Sequence, residues 1–133
     1  MSILSIAASG LAAASRRLEV SASNVANQLD SGPLPGSPNA GNFPAAYVPK
    51  RLDQVEVAGG GTATTVSDVT PSFVTSYDPS APYADKNGLV ATPNVSLVNE
   101  AVQQITARND FAANAKVIQV ASEMLKTLLD IKV

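Results

Sequence analysis

From Leu4 to Leu29 the apolar residues fall in rows rather than runs. Leu4, Leu11, Leu18 and Val25 recur every seven residues, and Ala8, Ser15, Ala22 and Leu29 occupy the positions four further on. Ser2, Ser5, Ser9, Arg16, Glu19 and Ser23 form a polar stripe. The spacing predicts one amphipathic helix from about Ser2 to Leu29, about 42 Å long, whose heptad seam sets large residues beside small ones, a pattern that lets two helices approach closely. A further face of Ile6, Gly10, Ala13, Arg17, Val20, Asn24 and Asn27 is small and half apolar. Asp30, Ser31, Gly32 and Pro33 stop the helix, Gly32 being suited to a left-handed cap and Pro33 unable to continue.

The C-terminal segment, Asn94 to Val133, contains neither Gly nor Pro. It allows a helix of up to about 55 Å, started at Pro93 and Asn94. Its early stripe is Val98, Val102 and Ile105; later the stripe becomes Phe111, Ala115, Ile118, Ser122, Leu125 and Leu129. A second apolar row, Val117, Ala121, Met124, Leu128 and Ile131, leaves only Lys116, Gln119, Glu123, Lys126 and Asp130 polar. A helix with so narrow a polar stripe is surrounded on most sides. One antiparallel partner covers one row of each helix, so other copies or homologous chains are expected to cover the second; the competing reading is a monomeric hairpin covered by its own middle segment.

That middle is turn-rich. All nine prolines lie between Pro33 and Pro93, and seven of the eight glycines between Gly32 and Gly88. Residues 33 to 49 read as an extended surface loop. Leu52, Val55 and Val57, then three glycines at 59 to 61, then TATTVSDVT, predict a weak hairpin with a flexible turn; Phe73, Thr75 and Tyr77 lie on one side of a short strand. The triple glycine has no following Lys and opens no helix, so it is not a phosphate loop. The fold class expected is mainly α: residues 1–31 and 94–133 as long helices paired in an antiparallel coiled-coil-like hairpin, with a Pro/Gly-rich irregular β segment over 32–93.

Composition narrows the chemistry. The 133-residue chain carries 9 Lys plus Arg against 11 Asp plus Glu, and no His or Cys. No nucleic-acid partner is implied, disulfides and thiol chemistry are excluded, and the commonest general base and metal ligand is missing. Carboxylates are scattered singly, with Asp78 and Asp85 a loose pair in a Pro-rich turn. No enzyme, cofactor or metal is expected. The uncharged N-terminus, MSILSIAASGLAAAS, lacks a basic leader and is too short and Ser-rich to span a bilayer, so it reads as retained and not inserted in a membrane.

Two asparagines at the end of the first helix, in SASNVANQLDSG, are out of place by propensity. That stretch resembles the N-terminal signature of the flagellar rod, hook and filament axial proteins. YDPSAPYADKNGLVATPNVSLVNEAVQQI and RNDFAANAKVIQVASEMLKTLLDI are similar to the second half of a proximal-rod protein of the flagellar basal body. The departures are Gly32 leading into Pro33 and the proline-rich loop that follows. The resemblance implies a structural subunit of the rod, the drive shaft between the inner-membrane ring and the hook, exported unfolded through the flagellar type III apparatus into a periplasm-spanning assembly without a cleaved signal. It implies terminal helices paired into an inner tubular layer, with other copies, homologous rod proteins, the inner-membrane ring and the export apparatus as partners.

The expected assembly interface comprises Leu4, Leu11, Leu18, Asn24, Val25, Asn27, Arg108, Phe111, Asn114, Ile118, Leu125 and Leu129. Asn24 and Asn27, three apart on one face, are candidates for setting register between neighbouring helices, because a packed amide must find partners. Asn27, nearer the helix end, equally fits a local backbone bond. Phe111 reads more as core than as a ligand site, and Arg108 as a solvated or interfacial charge. The alternative function is a helical-hairpin binding module or export chaperone that masks a partner's amphipathic helix.

Overall fold

The computed structural model describes residues 2–131. Helix α1 spans Ile3–Ala26 and α2 spans Leu97–Ile131, about 36 Å and 52 Å long; the expected ends at Met1 and Val133 lie outside the described residues. Between them four strands form two antiparallel ribbons, β1 (Lys50–Glu56) with β2 (Thr62–Asp68) and β3 (Phe73–Tyr77) with β4 (Leu89–Pro93). The middle is thus more regular than expected. Leu52 stands opposite Val66 in the first ribbon and Thr75 opposite Ala91 in the second.

Helix α1 ends before its apolar pattern does, and α2 begins after its expected start. Ser2 caps α1 by accepting the Ser5 N–H at 3.3 Å. The helix ends at Ala26 rather than Leu29, because Asn27 takes non-helical angles while its N–H and its Nδ2 both donate to the Ser23 carbonyl, at 3.1 and 2.9 Å. Gly32 does not serve as a left-handed cap. It pairs with Ala91 at the edge of β4 and is buried where a Cβ would overlap the backbone of residues 44–46. At the other end, Asn94 is not the start of α2: its backbone N–H donates to Ser72 and its Nδ2 to Pro71, closing the second ribbon. Ser96 begins α2 instead, its Oγ accepting the Asn99 N–H at 3.4 Å.

The glycine turn is docked, not loose. Gly59, Gly60 and Gly61 all have φ above +90°, a region only Gly enters freely. A Cβ at Gly61 would sit 2.8 Å from Ser9 Oγ, and one at Gly60 3.0 Å from Ile6 Cδ1. Ser9 Oγ meanwhile accepts the Thr62 N–H at 3.1 Å, so the tip of the first ribbon is tied to the first turns of α1. The 33–49 loop is tied as well. Its Asn39 Nδ2 donates to the Ala84 carbonyl and Phe43 meets Tyr83 edge-on, with ring centroids 5.8 Å apart.

The core is made of small residues. Ala7, Ala13, Ala14, Ser21 and Asn24 of α1 are buried, as are Ala107 and Ala121 of α2. The expected seam of Leu4, Leu11, Leu18 and Val25 is therefore displaced by one row: three of these are half-buried at its flank and Leu18 is exposed. The early stripe of α2, Val98, Val102 and Ile105, is exposed throughout. The reason is close approach. Gly10 lies so near Asn114 that a Cβ would overlap the Asn114 side chain, and helices that near admit Ala and Ser between them but not Leu.

Candidate assembly interface

The two helices run antiparallel. Ser21 meets Gln104 and Glu100, Arg17 meets Asp110, Gly10 meets Asn114, and Leu4 shares a groove with Ala121 and Leu125. On α1, 3.6 residues per turn put Ala7, Ala14 and Ser21 at the centre of this seam and divide the rest between two sides. One side carries Gly10, Arg17, Val20 and Asn24 and faces the first ribbon, where Arg17 Nη2 donates to Gln54 Oε1 at 3.0 Å. The other side carries Leu4, Leu11, Leu18 and Val25, with Ala8, Ser15 and Ala22 beside them.

Asn24 is the densest junction on the ribbon side. It is 2% exposed and uses its whole hydrogen-bonding capacity. Nδ2 donates to the Lys50 carbonyl at 2.7 Å and to Glu100 Oε1 at 2.8 Å. Oδ1 accepts from the Lys50 N–H at 2.9 Å and from Tyr47 Oη at 3.1 Å. One amide thus joins α1, the start of β1 and the first turn of α2. Ser21 extends the junction by donating to the Glu100 carbonyl and accepting from Gln104 Nε2, each at 3.2 Å. Register is set here, but within the chain. Asn24 was expected to set register between neighbouring subunits; the four bonds that fill its amide here all go to its own chain. Asn27 bonds only the local Ser23 backbone and hydroxyl, and Asn114 donates to the Asp110 carbonyl at 2.8 Å.

The remaining expected residues gather on the side away from the first ribbon. Leu18, Arg108 and Phe111 line one groove with Ala14, Ser15, Glu19 and Ala107, a space of about 420 Å³. Leu4 and Leu125 line a second with Ile3, Ala121, Met124 and Leu128. Helical spacing puts Leu11 and Ile118 on the same side between the two grooves, and Leu129 one turn beyond Leu125. Phe111 is exposed rather than core. Arg108 is exposed and takes no part in the ion pairs of the described residues, which join Arg16 to Glu19, Arg17 to Asp110, Lys50 to Asp68 and Arg51 to Asp53. This is a ridge-and-groove surface without reactive groups. Among the described residues no cluster of His, Cys, Asp or Glu could hold a metal ion, and no helix is long and apolar enough to cross a membrane.

The partners of Asn24 were missed by sequence reasoning. Tyr47 and Lys50 lie in the proline-rich loop and at a strand end, with no local signal. Glu100 was findable: with Gln104, Ala107 and Asn114 it marks one helix face on which polar residues give way to small ones.

Both helical ends match known families. The family model described as flagella basal body rod protein matches residues 4–28, nearly all of α1 and the two residues after it, and that described as flagellar basal body rod FlgEFG protein C-terminal matches residues 86–131, from the turn before β4 through α2. Both matches place the chain in the class of flagellar basal-body rod proteins. Full-length relatives narrow the class. The flagellar basal-body rod protein FlgC of Salmonella typhimurium strain LT2 is 37% identical over 131 residues, covering 96% of this chain and 95% of the relative. FlgC of Escherichia coli O6:H1 is 38% identical over 132 residues at the same coverage, and that of Borreliella burgdorferi 31% over 146 residues, covering 98% and 95%. The chain belongs to the FlgC type of flagellar basal-body rod protein, a family of structural proteins of the bacterial flagellum.

Proposed function

We propose that the chain polymerises through its terminal helices into the inner layer of the proximal rod, with residues 1–31 and 94–133 as the two halves of a coiled-coil-like hairpin and residues 32–93 outside them. Its neighbours are other copies and homologous rod proteins, and at the rod base the inner-membrane ring and the export apparatus. The observation that carries this reading is the apolar face away from the first ribbon. Leu18, Phe111, Leu125 and Leu129 are 46 to 68% exposed there, next to half-buried Leu4, Leu11 and Ile118. Such a face, continuous over much of the hairpin, is costly to leave in water and marks a contact surface. Export as an unfolded chain through the type III apparatus, and a place in the periplasm-spanning part of the rod, follow from the family's assembly.

The test is Leu18→Asp with Leu129→Asp in a strain lacking its own copy. Both side chains are exposed, so the fold tolerates the change. Secreted subunit stays at the level of the unmodified chain, while completed rods, counted by electron microscopy, and swimming are lost. Normal rods in the double variant would refute the assignment.

A further inference from the structure

The turn that closes the second ribbon contains a reactive pair. Of the nine asparagines in the chain only Asn87 precedes a glycine. The turn itself calls for that pair. Gly88 has a φ of +74°, which Gly alone adopts at little cost, and a Cβ there would lie 2.9 Å from Tyr77 Cε2 and 3.0 Å from Pro79 Cβ. Asn before it is an ordinary turn residue. Yet the pair carries chemistry of its own, because Gly88 has no side chain to shield its backbone nitrogen from the preceding side-chain amide.

The folded turn withholds that nitrogen. Asp85 holds three consecutive amides: its carbonyl accepts the Gly88 N–H at 3.0 Å, and its Oδ1 accepts the N–H of Asn87 and of Leu89, each at 2.8 Å. The Asp85 N–H donates back to the Leu89 carbonyl at 3.0 Å, and the Gly88 carbonyl accepts the Asp78 N–H at 2.9 Å. Gly88 is buried while Asn87 is exposed. An attack on the Asn87 amide would have to break the Gly88 bond to Asp85 and turn a peptide unit packed beneath Tyr77 and Pro79.

We infer that Asn87 is a self-modification site gated by the folding of this turn: in the unfolded chain the Gly88 nitrogen attacks the Asn87 side-chain amide, and in the folded chain the bonds to Asp85 prevent it. Solvent base takes the Gly88 amide proton, and the nitrogen forms a bond to Asn87 Cγ. The bond from Cγ to the side-chain nitrogen then breaks, and that nitrogen leaves as ammonia with a proton returned by solvent. Water opens the resulting five-membered imide at one of its two carbonyls. Addition at Cγ breaks the new bond and leaves aspartate; addition at the main-chain carbonyl breaks the original peptide bond and leaves isoaspartate, with the chain running through Cγ. Nothing is oxidised or reduced. One water is consumed, one ammonia is released, and the side chain exchanges NH2 for OH.

Either product works against the turn. Isoaspartate lengthens the main chain by one methylene between two of the amides that Asp85 holds, so the Asn87 and Gly88 bonds can no longer form in register. Aspartate adds a second carboxylate to a turn that already contains that of Asp85. The fold, once formed, thus protects the site, and a chain kept unfolded loses the means to close the second ribbon. When this happens in the cell rests on export as an unfolded chain, proposed above; the chemistry does not.

The test incubates the purified full chain in mildly alkaline buffer, and in concentrated urea at the same pH and temperature, with folding in buffer followed by circular dichroism. Residue 87 is followed by peptide mass and by isoaspartyl methyltransferase labelling. Product accumulates there ahead of the other eight asparagines, and about tenfold or more faster in urea, because the rate in buffer is scaled by the population of opened turn. Asp85→Ala, which removes both Oδ1 bonds, raises the rate in buffer about threefold or more and leaves the rate in urea unchanged; Asp85→Asn, which keeps an acceptor oxygen, stays near the unmodified chain. In the unmodified chain, amide exchange at Gly88 and modification of Asn87 rise together as urea is added. Equal rates at Asn87 in buffer and in urea, or modification that does not follow Gly88 exchange, would overturn the gating. Another asparagine reacting first in urea would overturn the site. Each of these results leaves the rod assignment standing.

Discussion

Replacing Asn24 tests how far one buried amide holds three elements together. Asn24→Ala removes four hydrogen bonds and leaves the Lys50 N–H and carbonyl and the Glu100 carboxylate short of a partner, while the Tyr47 hydroxyl keeps Ser23 Oγ at 3.2 Å. Tyr47 and Glu100 reach solvent in part and recover some of the loss. The two backbone groups of Lys50 are aimed at the missing side chain, and a buried unsatisfied group costs about 1 to 3 kcal/mol. The expected destabilisation is about 2 to 4 kcal/mol, a large share of the roughly 5 to 15 kcal/mol that holds a domain of ordinary stability. For a chain of this length that lowers the midpoint of thermal unfolding by about 10 °C.

Asn24→Asp keeps the shape and is worse at neutral pH. It replaces the donor that faces Glu100 Oε1 at 2.8 Å with a second acceptor carrying like charge. Burial and that neighbour raise the folded-state pKa of the introduced carboxyl above its unfolded value. The folded state then binds the extra proton more tightly, so the Asp variant gains stability as pH falls through that raised pKa, whereas the Ala variant does not. Thermal unfolding of the isolated chain followed by circular dichroism, at neutral pH and about two units lower, reads both effects. The reasoning is refuted if Asn24→Ala melts within about 2 °C of the unmodified chain, or if the Asp variant is the more stable of the two at neutral pH.

The other expectations are local. Gly10→Leu drives a side chain into Asn114 and destabilises by about 1 to 3 kcal/mol in urea unfolding, and Gly10→Ala costs less once Asn114 is also Ala. Gly61→Ala forces a Cβ onto Ser9 at a φ of +92° and costs about 1 to 2 kcal/mol, seen as faster amide exchange at Thr62, whose N–H bonds Ser9. Asn27→Ala changes stability by less than about 1 kcal/mol and leaves rod completion intact, because its bonds stay within the last turn of α1. In the isolated chain, amides of residues 125–131 exchange faster than those of residues 100–115, which pack against α1 and the Asn24 junction.

The division into two helical ends and a turn-rich middle was legible because it depends on local signals. Heptad rows, a stretch free of Gly and Pro, and clustered turn residues act within a few positions of themselves. Leu4, Leu11 and Leu18 on α1 were read from the same signals as the seam between the helices. What periodicity could not settle was which row turns inward. Large residues look like core, yet Gly10 lets the helices come so close that Ala7, Ala14, Ser21, Ala107 and Ala121 fill the seam and the leucines are left at its flank. Helix boundaries failed for a related reason. Asn27 and Asn94 are each taken by a nearby backbone group, and that choice depends on where the chain goes next.

By itself the sequence determined the element types, the family and the absence of His and Cys chemistry, since all three are properties of residue order and composition. Only the tertiary structure decided the role of Asn24. Its partners lie 23, 26 and 76 residues away, and an amide with capacity for four bonds reads the same in sequence whether those bonds go to a neighbouring subunit or to its own chain. The close approach at Gly10, the docking of the glycine turn on Ser9 and the proximity of Lys50 to Glu100 together commit that capacity inward. The leucine rows that looked like core in the sequence are thereby left at the flank and on the surface of the hairpin.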